Sequence, residues 1–164
     1  MDTYESETNK TAFVWRRFDD GHLSYRPHES SSTVIEIMKH ELLSQRRFFG
    51  EFLGFPEPPA AEVLPANTVG DFADRLIKLA EPRLQSLADQ PESWWTETVP
   101  FFDVTRERAW IVLRRILHTA HHRTQLTVYL RLLGKPVPAI YGPSKDETWA
   151  GADPTTSVDA ASRR

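Results

Sequence analysis

Cysteine is absent from the 164 residues, which removes disulfides, thiolate metal sites and a cysteine nucleophile together. Soft-metal chemistry in this chain therefore falls to histidine. Long apolar runs are missing too, since no stretch approaches the ~18 residues that suggest a membrane span. Nor is there an excess of positive charge: the formal net charge is −3, and the cationic runs are isolated pairs such as Arg16–Arg17, Arg46–Arg47 and Arg114–Arg115. With no basic field to gather phosphates, neither nucleic acid nor a membrane is an expected partner. The first residues, Met1 to Glu7, are acidic and polar, the reverse of a signal peptide's basic start and apolar centre, so the expected location is cytoplasmic.

What is present is the balance of one globular domain, with 40% apolar and 26% charged residues of both signs. The domain is expected over 1–149, with 150–164, rich in small and polar residues, a flexible tail. Apolar residues recur at helical rather than alternating spacing, and β-branched clusters bounded by tight-turn dipeptides are missing. The expected fold is all-α.

Four helices are predicted. The first covers about Ser6 to Phe18, with Phe13, Val14 and Phe18 inward, and stops near Gly21. The second is capped by an oxygen of the run Ser30-Ser31-Ser32-Thr33 and reaches about Leu53, ahead of Gly54 and Pro56. Glu57 to Ala66 holds three prolines and reads as a long crossover. The third starts at Asn67 or Thr68, turns Phe72, Leu76, Leu79 and Leu84 inward, and meets a bend or a break at Pro82. A connection from Gln90 to Asp103 carries Trp94, Trp95, Phe101 and Phe102 over one end of the bundle.

The fourth helix, from about Thr105 to Leu133, contains neither glycine nor proline and then meets Gly134 and Pro136. At 1.5 Å per residue it would be about 43 Å long. Trp110, Ile111, Leu113, Ile116, Leu117 and Ala120 occupy much of its circumference, as on a helix central to a bundle. Four helices with a long crossover give a four-helix bundle.

Three of the six histidines fall within His118-Thr119-Ala120-His121-His122, midway along that helix. Residues four apart differ by about 40° around the axis and about 6 Å along it, so His118 and His122 can aim at one point. His121, three residues from His118, competes with His122 for that role, and spacing alone leaves the choice open. A third ligand must come from elsewhere, and His40 is the only other histidine inside a predicted helix. Three neutral nitrogens and an open position suit a divalent transition metal in a catalytic type of site. The zincin motif is excluded, because His118 is followed by threonine and His40-Glu41-Leu42-Leu43 by Ser44. A di-iron bundle is disfavoured, because no glutamate lies three residues before His40, His118, His121 or His122.

His118-x-x-His121-His122-Arg123-x-Gln125-Leu126, followed by Tyr129-Leu130-Arg131-Leu132-Leu133-Gly134-Lys135-Pro136, resembles the signature helix of the DinB/YfiT-like superfamily. Met38-Lys39-His40-Glu41-Leu42-Leu43 resembles its other ligand-bearing helix, and the likeness runs from about Phe13 to Tyr141. It implies a four-helix bundle, often a homodimer, holding zinc, nickel or a similar ion on three histidines. Mapped onto this chain, those are His40, His118 and His122, with His121 adjacent and non-ligating. Thr124 departs from the glycine common at that position, where close backbone approach is otherwise possible.

Around these ligands Gln125 and Tyr129 are placed to face the pocket, with a helix–helix hydrogen bond and ordinary packing as the plainer roles. Glu41 can accept an imidazole proton from behind, but it points about 100° from His40 and is expected in solvent. Arg123 and Arg131 are expected at the surface or in a dimer contact, and Tyr141-Gly142-Pro143 as a turn or a flap over the site. Relatives in the superfamily include thiol-dependent transferases and isomerases. The resemblance thus implies a small-molecule substrate and a low-molecular-weight thiol cosubstrate, activated by an ion that could also be iron(II) or copper(II). A metal that only ties two helices together is the alternative.

Overall fold

The structure, a computed structural model, describes residues 2–64 and 67–148. The expected tail lies outside the described residues. Among the described residues ten elements follow in order: α1 (Asp2–Trp15), a 3₁₀ turn (Asp20–His22), α2 (Val34–Arg47), a π turn (Phe48–Phe52), α3 (Ala60–Val63), α4 (Val69–Ala88), α5 (Glu92–Thr96), β1 (Thr98–Phe101), β2 (Val104–Glu107) and α6 (Arg108–Leu132). The long helices α1, α2, α4 and α6 form the bundle; α1 lies against α4 and α6, and α2 against α6.

Local chemistry sets the helix ends. Thr33 caps α2 by accepting from Glu36 N, while the Glu36 carboxylate accepts from Thr33 N at 2.7 Å. This is a capping box, and it selects the last residue of the Ser/Thr run. Thr68 and Asp71 cap α4 in the same way. Gly54 (φ +76°) follows the π turn and Gly134 (φ +70°) follows α6, each in the left-handed region that a Cβ disfavours. Pro82 lies within α4 without ending it.

The apolar residues segregate into two clusters. One gathers Trp15, Phe18, Met38, Leu42, Phe72, Leu76, Leu126 and Leu130. The other gathers Tyr4, Phe48, Phe49, Leu87, Phe101 and Ile111. Along α1, α2 and α6 alike, the residues separating the two sets are polar and buried: Glu7, Thr8 and Thr11; Glu41 and Gln45; Arg115, Thr119 and Arg123. A polar layer thus crosses the bundle between two apolar halves.

The structure departs from the expected pattern in three places. The chain forms an antiparallel hairpin, Thr98 pairing with Glu107 and Phe101 with Val104, so α6 begins at Arg108 rather than Thr105. Phe13 is exposed, its ring under the Arg17 guanidinium at 4.5 Å. The face that α6 buries carries Ile111, Arg115, Thr119, Arg123, Leu126 and Leu130, whereas Leu113, Leu117, Val128 and Leu132 are more than half exposed. Along its middle turns the helix buries Arg115, Thr119 and Arg123 while Leu113 and Leu117 face outward, so an apolar circumference does not mean central burial.

Candidate metal centre

Helix α2 contributes His40 and α6 contributes His118 and His122, the latter two one turn apart on the side that faces α2. One ring nitrogen from each of the three lies within 4.8 Å of the others. The ring centroids are 4.5 Å apart for His118–His122, 4.7 Å for His40–His122 and 5.2 Å for His40–His118. His121 is exposed and stands outside this group, its ring beside that of His122.

The donor set fits a divalent ion of the zinc type. Nitrogens about 2.0–2.1 Å from a tetrahedral centre stand about 3.3 Å from each other, and His40 Nε2 is 3.4 Å from His118 Nε2. His122 Nδ1 lies 2.8 Å from Gln125 Oε1. A carbonyl oxygen can only accept, so Nδ1 carries the proton and Nε2 keeps its lone pair. Burial, more than its neighbours, lowers the pKa of His122 to about 4, followed by the repulsion of His118 and His40. His40 is lowered by burial and then by His118. Both rings are thus held in the neutral form that ligation requires.

His118 is backed by charge. Its Nδ1 lies 2.9 Å from an Arg115 Nη2 and 3.7 Å from Glu41 Oε2. Because a guanidinium only donates, Nδ1 as placed accepts from Arg115; Nε2 would be free to ligate with the Nδ1 proton present and turned instead toward Glu41. Glu41 is not solvated as expected. It is fully buried, receives Arg115 Nη2 on both oxygens at 2.7 and 2.6 Å, and accepts from Thr119 Oγ1 at 2.5 Å and Gln45 Nε2 at 3.0 Å. These donors outweigh the cost of burial and hold its carboxyl far below the usual range.

The remaining candidates separate. Gln125 acts on its own helix, fixing His122. Tyr129 packs against Tyr25 and donates to Ser32 O at 2.9 Å, away from the cluster. Arg123 is buried rather than superficial, paired with Glu7 at 2.7 Å and bonded to the Tyr141 hydroxyl. Tyr141 therefore closes on Glu7, at 2.6 Å, and not over the histidines. Arg131 is half-exposed and bound to Asp146. The residues missed from sequence are Arg115, Thr119 and Ser44, which accepts from Arg115 Nη1 at 2.6 Å. The i, i+4, i+8 recurrence Arg115, Thr119, Arg123 on the face next to His118 and His122 was the signal available. A cleft of about 600 Å³ opens beside the cluster, with His40 and His118 in its wall.

A family model described as the DinB family matches residues 2–155. The chain is 35% identical over 142 residues to the uncharacterized protein YrdA of Bacillus subtilis (strain 168), covering 73% of this chain and 81% of that one. It is similar in structure to a DinB-like protein from Bacillus cereus ATCC 10987, with a TM-score of 0.74 and 21% identity over 85% of this chain and 94% of that chain. A DinB-like protein of Bacillus subtilis, YjoA, gives a TM-score of 0.63 at 20% identity over 81% of this chain and 90% of that chain. At such identities the solved structures speak to the fold alone.

Proposed function

The chain belongs to the DinB family, and on that premise we propose that it is a divalent-metal-dependent enzyme of the thiol-dependent transferase or isomerase type. His40, His118 and His122 are the proposed ligands, with zinc or nickel the leading ions and iron(II) or copper(II) the others that suit nitrogen donors. The observation that carries this reading is the convergence of three imidazole nitrogens within 4.8 Å, two of them from histidines that line an open cleft. When bound, the ion supplies a positive charge that three neutral ligands do not cancel, lowering the pKa of a thiol or water in its open position. That would supply a thiolate, which a chain without cysteine cannot provide from its own side chains.

The protein's own groups do the rest. Gln125 fixes the His122 tautomer, and the Glu41–Arg115 pair fixes the His118 ring from the buried side. Phe48 and Phe101, both buried, line the cleft next to these rings and limit water on that flank. A purely structural metal is less well supported, because Glu41–Arg115 already joins α2 to α6 without one. The test is a cobalt-substituted protein titrated with cysteine, glutathione and 2-mercaptoethanol while its visible spectrum is followed. A shift of the ligand-field bands with at least one thiol supports the reading; an unchanged spectrum with all three counts against thiol activation.

The homodimer implied by the resemblance is also a proposal. Leu113, Leu117, Val128 and Leu132 fall within about 100° of the α6 circumference and are exposed, offering a self-complementary apolar stripe. Sedimentation velocity of the native chain and of Leu117→Glu tests it: a dimer that dissociates in the variant supports the stripe, a native monomer rules it out.

A further inference from the structure

We propose that the cleft beside the histidine cluster receives an amphipathic organic anion: a small molecule with an apolar or aromatic body and a carboxylate or phosphate at one end. The inference deepens the reading above and rests on it only in that the body of the molecule would lie next to the histidines.

The first observation is the charge of the lining. Arg47 and Arg114 line the cleft together with His40 and His118, and no aspartate or glutamate does. Arg114 stands one helical turn before His118 on the same helix, and among the described residues it makes no hydrogen bond or ion pair. Arg47 uses only its Nε, toward Glu51 at 2.8 Å, so among the described residues its two Nη groups carry no hydrogen bond. Two guanidinium groups with free donors, at one cleft, match the planar oxygens of a carboxylate or phosphate.

The second observation is independent and concerns the backbone. The hairpin turns at Phe102–Asp103, and Phe102 has φ +53°, the sole non-glycine in the left-handed region among the described residues. That conformation suits glycine or asparagine and strains an aromatic residue, and such strain persists where the surroundings use it. Here it holds the Phe102 ring, more than half exposed, at the cleft wall, 4.8 Å from the Phe101 ring and under the Arg47 guanidinium at 5.0 Å. Phe101 continues to Phe48 at 5.6 Å, on the π turn that follows α2. An apolar wall with cations at its edge, in a volume of about 600 Å³, is the build of a site for a small molecule with one charged end. A cation meets two guanidinium groups there.

The test is calorimetric titration of the full chain, metal-free and zinc-loaded, with 4-phenylbutyrate, phenyl phosphate, neutral 4-phenylbutanol and cationic 4-phenylbutylamine. At least one of the anions is expected to bind about tenfold or more tightly than the alcohol or the amine, in both forms of the protein. Preference for phenyl phosphate or for phenylbutyrate tells a phosphate ester from a carboxylic acid. Arg114→Gln should reduce anion affinity about tenfold and leave the alcohol unchanged. Phe102→Gly should weaken all the aromatic probes while Tm stays level or rises, which separates lost binding from lost folding. Equal affinity for anion and alcohol, absence of binding by both anions, or an Arg114→Gln protein that binds like the native one overturns the proposal. So does binding of the anions only in the zinc-loaded form with no effect of Arg114→Gln, since the anion would then be ligating the ion. Failure of zinc to bind at all, with the anion still bound, instead removes the metal-enzyme reading and leaves the cleft assignment standing.

Discussion

Arg115 and Glu41, 74 residues apart in sequence, meet through two hydrogen bonds of 2.6 and 2.7 Å with essentially no exposure of either side chain. The pair sits directly behind His118 and couples the packing of α2 and α6 to the geometry of the candidate metal site. Removing one partner leaves a buried, uncompensated charge, which costs about 3–5 kcal/mol. Arg115→Met and Glu41→Leu are each expected to lower stability by about that amount in urea unfolding. The double replacement should lose less than the sum of the singles; strict additivity would show that the two charges do not depend on one another.

Acid should destabilise the protein partly through Glu7. Burial raises its pKa, but the hydrogen bond from Tyr141 and the charge of Arg123 outweigh burial, so the folded value lies below the ordinary one. A carboxylate depressed in the folded state contributes its full stabilisation above its unfolded pKa of about 4.3 and loses it as pH falls through the lower, folded value. Glu7→Gln should therefore flatten the stability profile below about pH 4 while lowering stability at pH 7. Parallel profiles for variant and native protein, measured by urea unfolding across that range, would show that Glu7 titrates as it does in the unfolded chain.

The end of α6 offers a clean measure of backbone strain. A Cβ on Gly134 would meet nothing within 4 Å, but φ is +70°. Gly134→Ala should cost about 1 kcal/mol through conformation alone, whereas Gly21→Ala, with open space and no left-handed backbone, should cost less. Equal Tm losses for the two would contradict the assignment of the Gly134 effect to φ.

Gln125 is expected to matter for the metal and not for the fold. Gln125→Leu removes the acceptor that holds the His122 Nδ1 proton, and loss of such a partner typically weakens metal affinity by about 10- to 100-fold. Chelator competition should register that change, and the melting temperature of the metal-free protein should barely move. Native affinity in the variant would mean that the His122 tautomer is set by something else.

The histidines were legible because their signal is local: a four-residue spacing on a helix with no glycine or proline needs no tertiary knowledge to bring two rings together. The third ring needed only a second helix facing the first. What escaped was the polar layer. Arginine and glutamate read as surface residues, so Glu41 was expected in solvent, Arg123 at the surface or in a dimer contact, and Arg115 received no role beyond a cationic pair; only the pairing of elements far apart in the chain makes their burial tolerable. For the same reason Leu113 and Leu117 looked central while the structure leaves them exposed. The hairpin was hidden by its turn, Phe102–Asp103, which lacks the Asn-Gly or Asp-Gly pair that marks two-residue turns and instead bears a strained aromatic.

The central claim, that His40, His118 and His122 together hold one divalent ion, is tested most directly by metal analysis of untagged protein after extensive dialysis, beside His122→Ala and His121→Ala. The account predicts about one equivalent of zinc or nickel in the native protein and in His121→Ala, and loss of it in His122→Ala. A native protein devoid of metal after incubation with either ion, or a site that survives in His122→Ala and vanishes in His121→Ala, contradicts it.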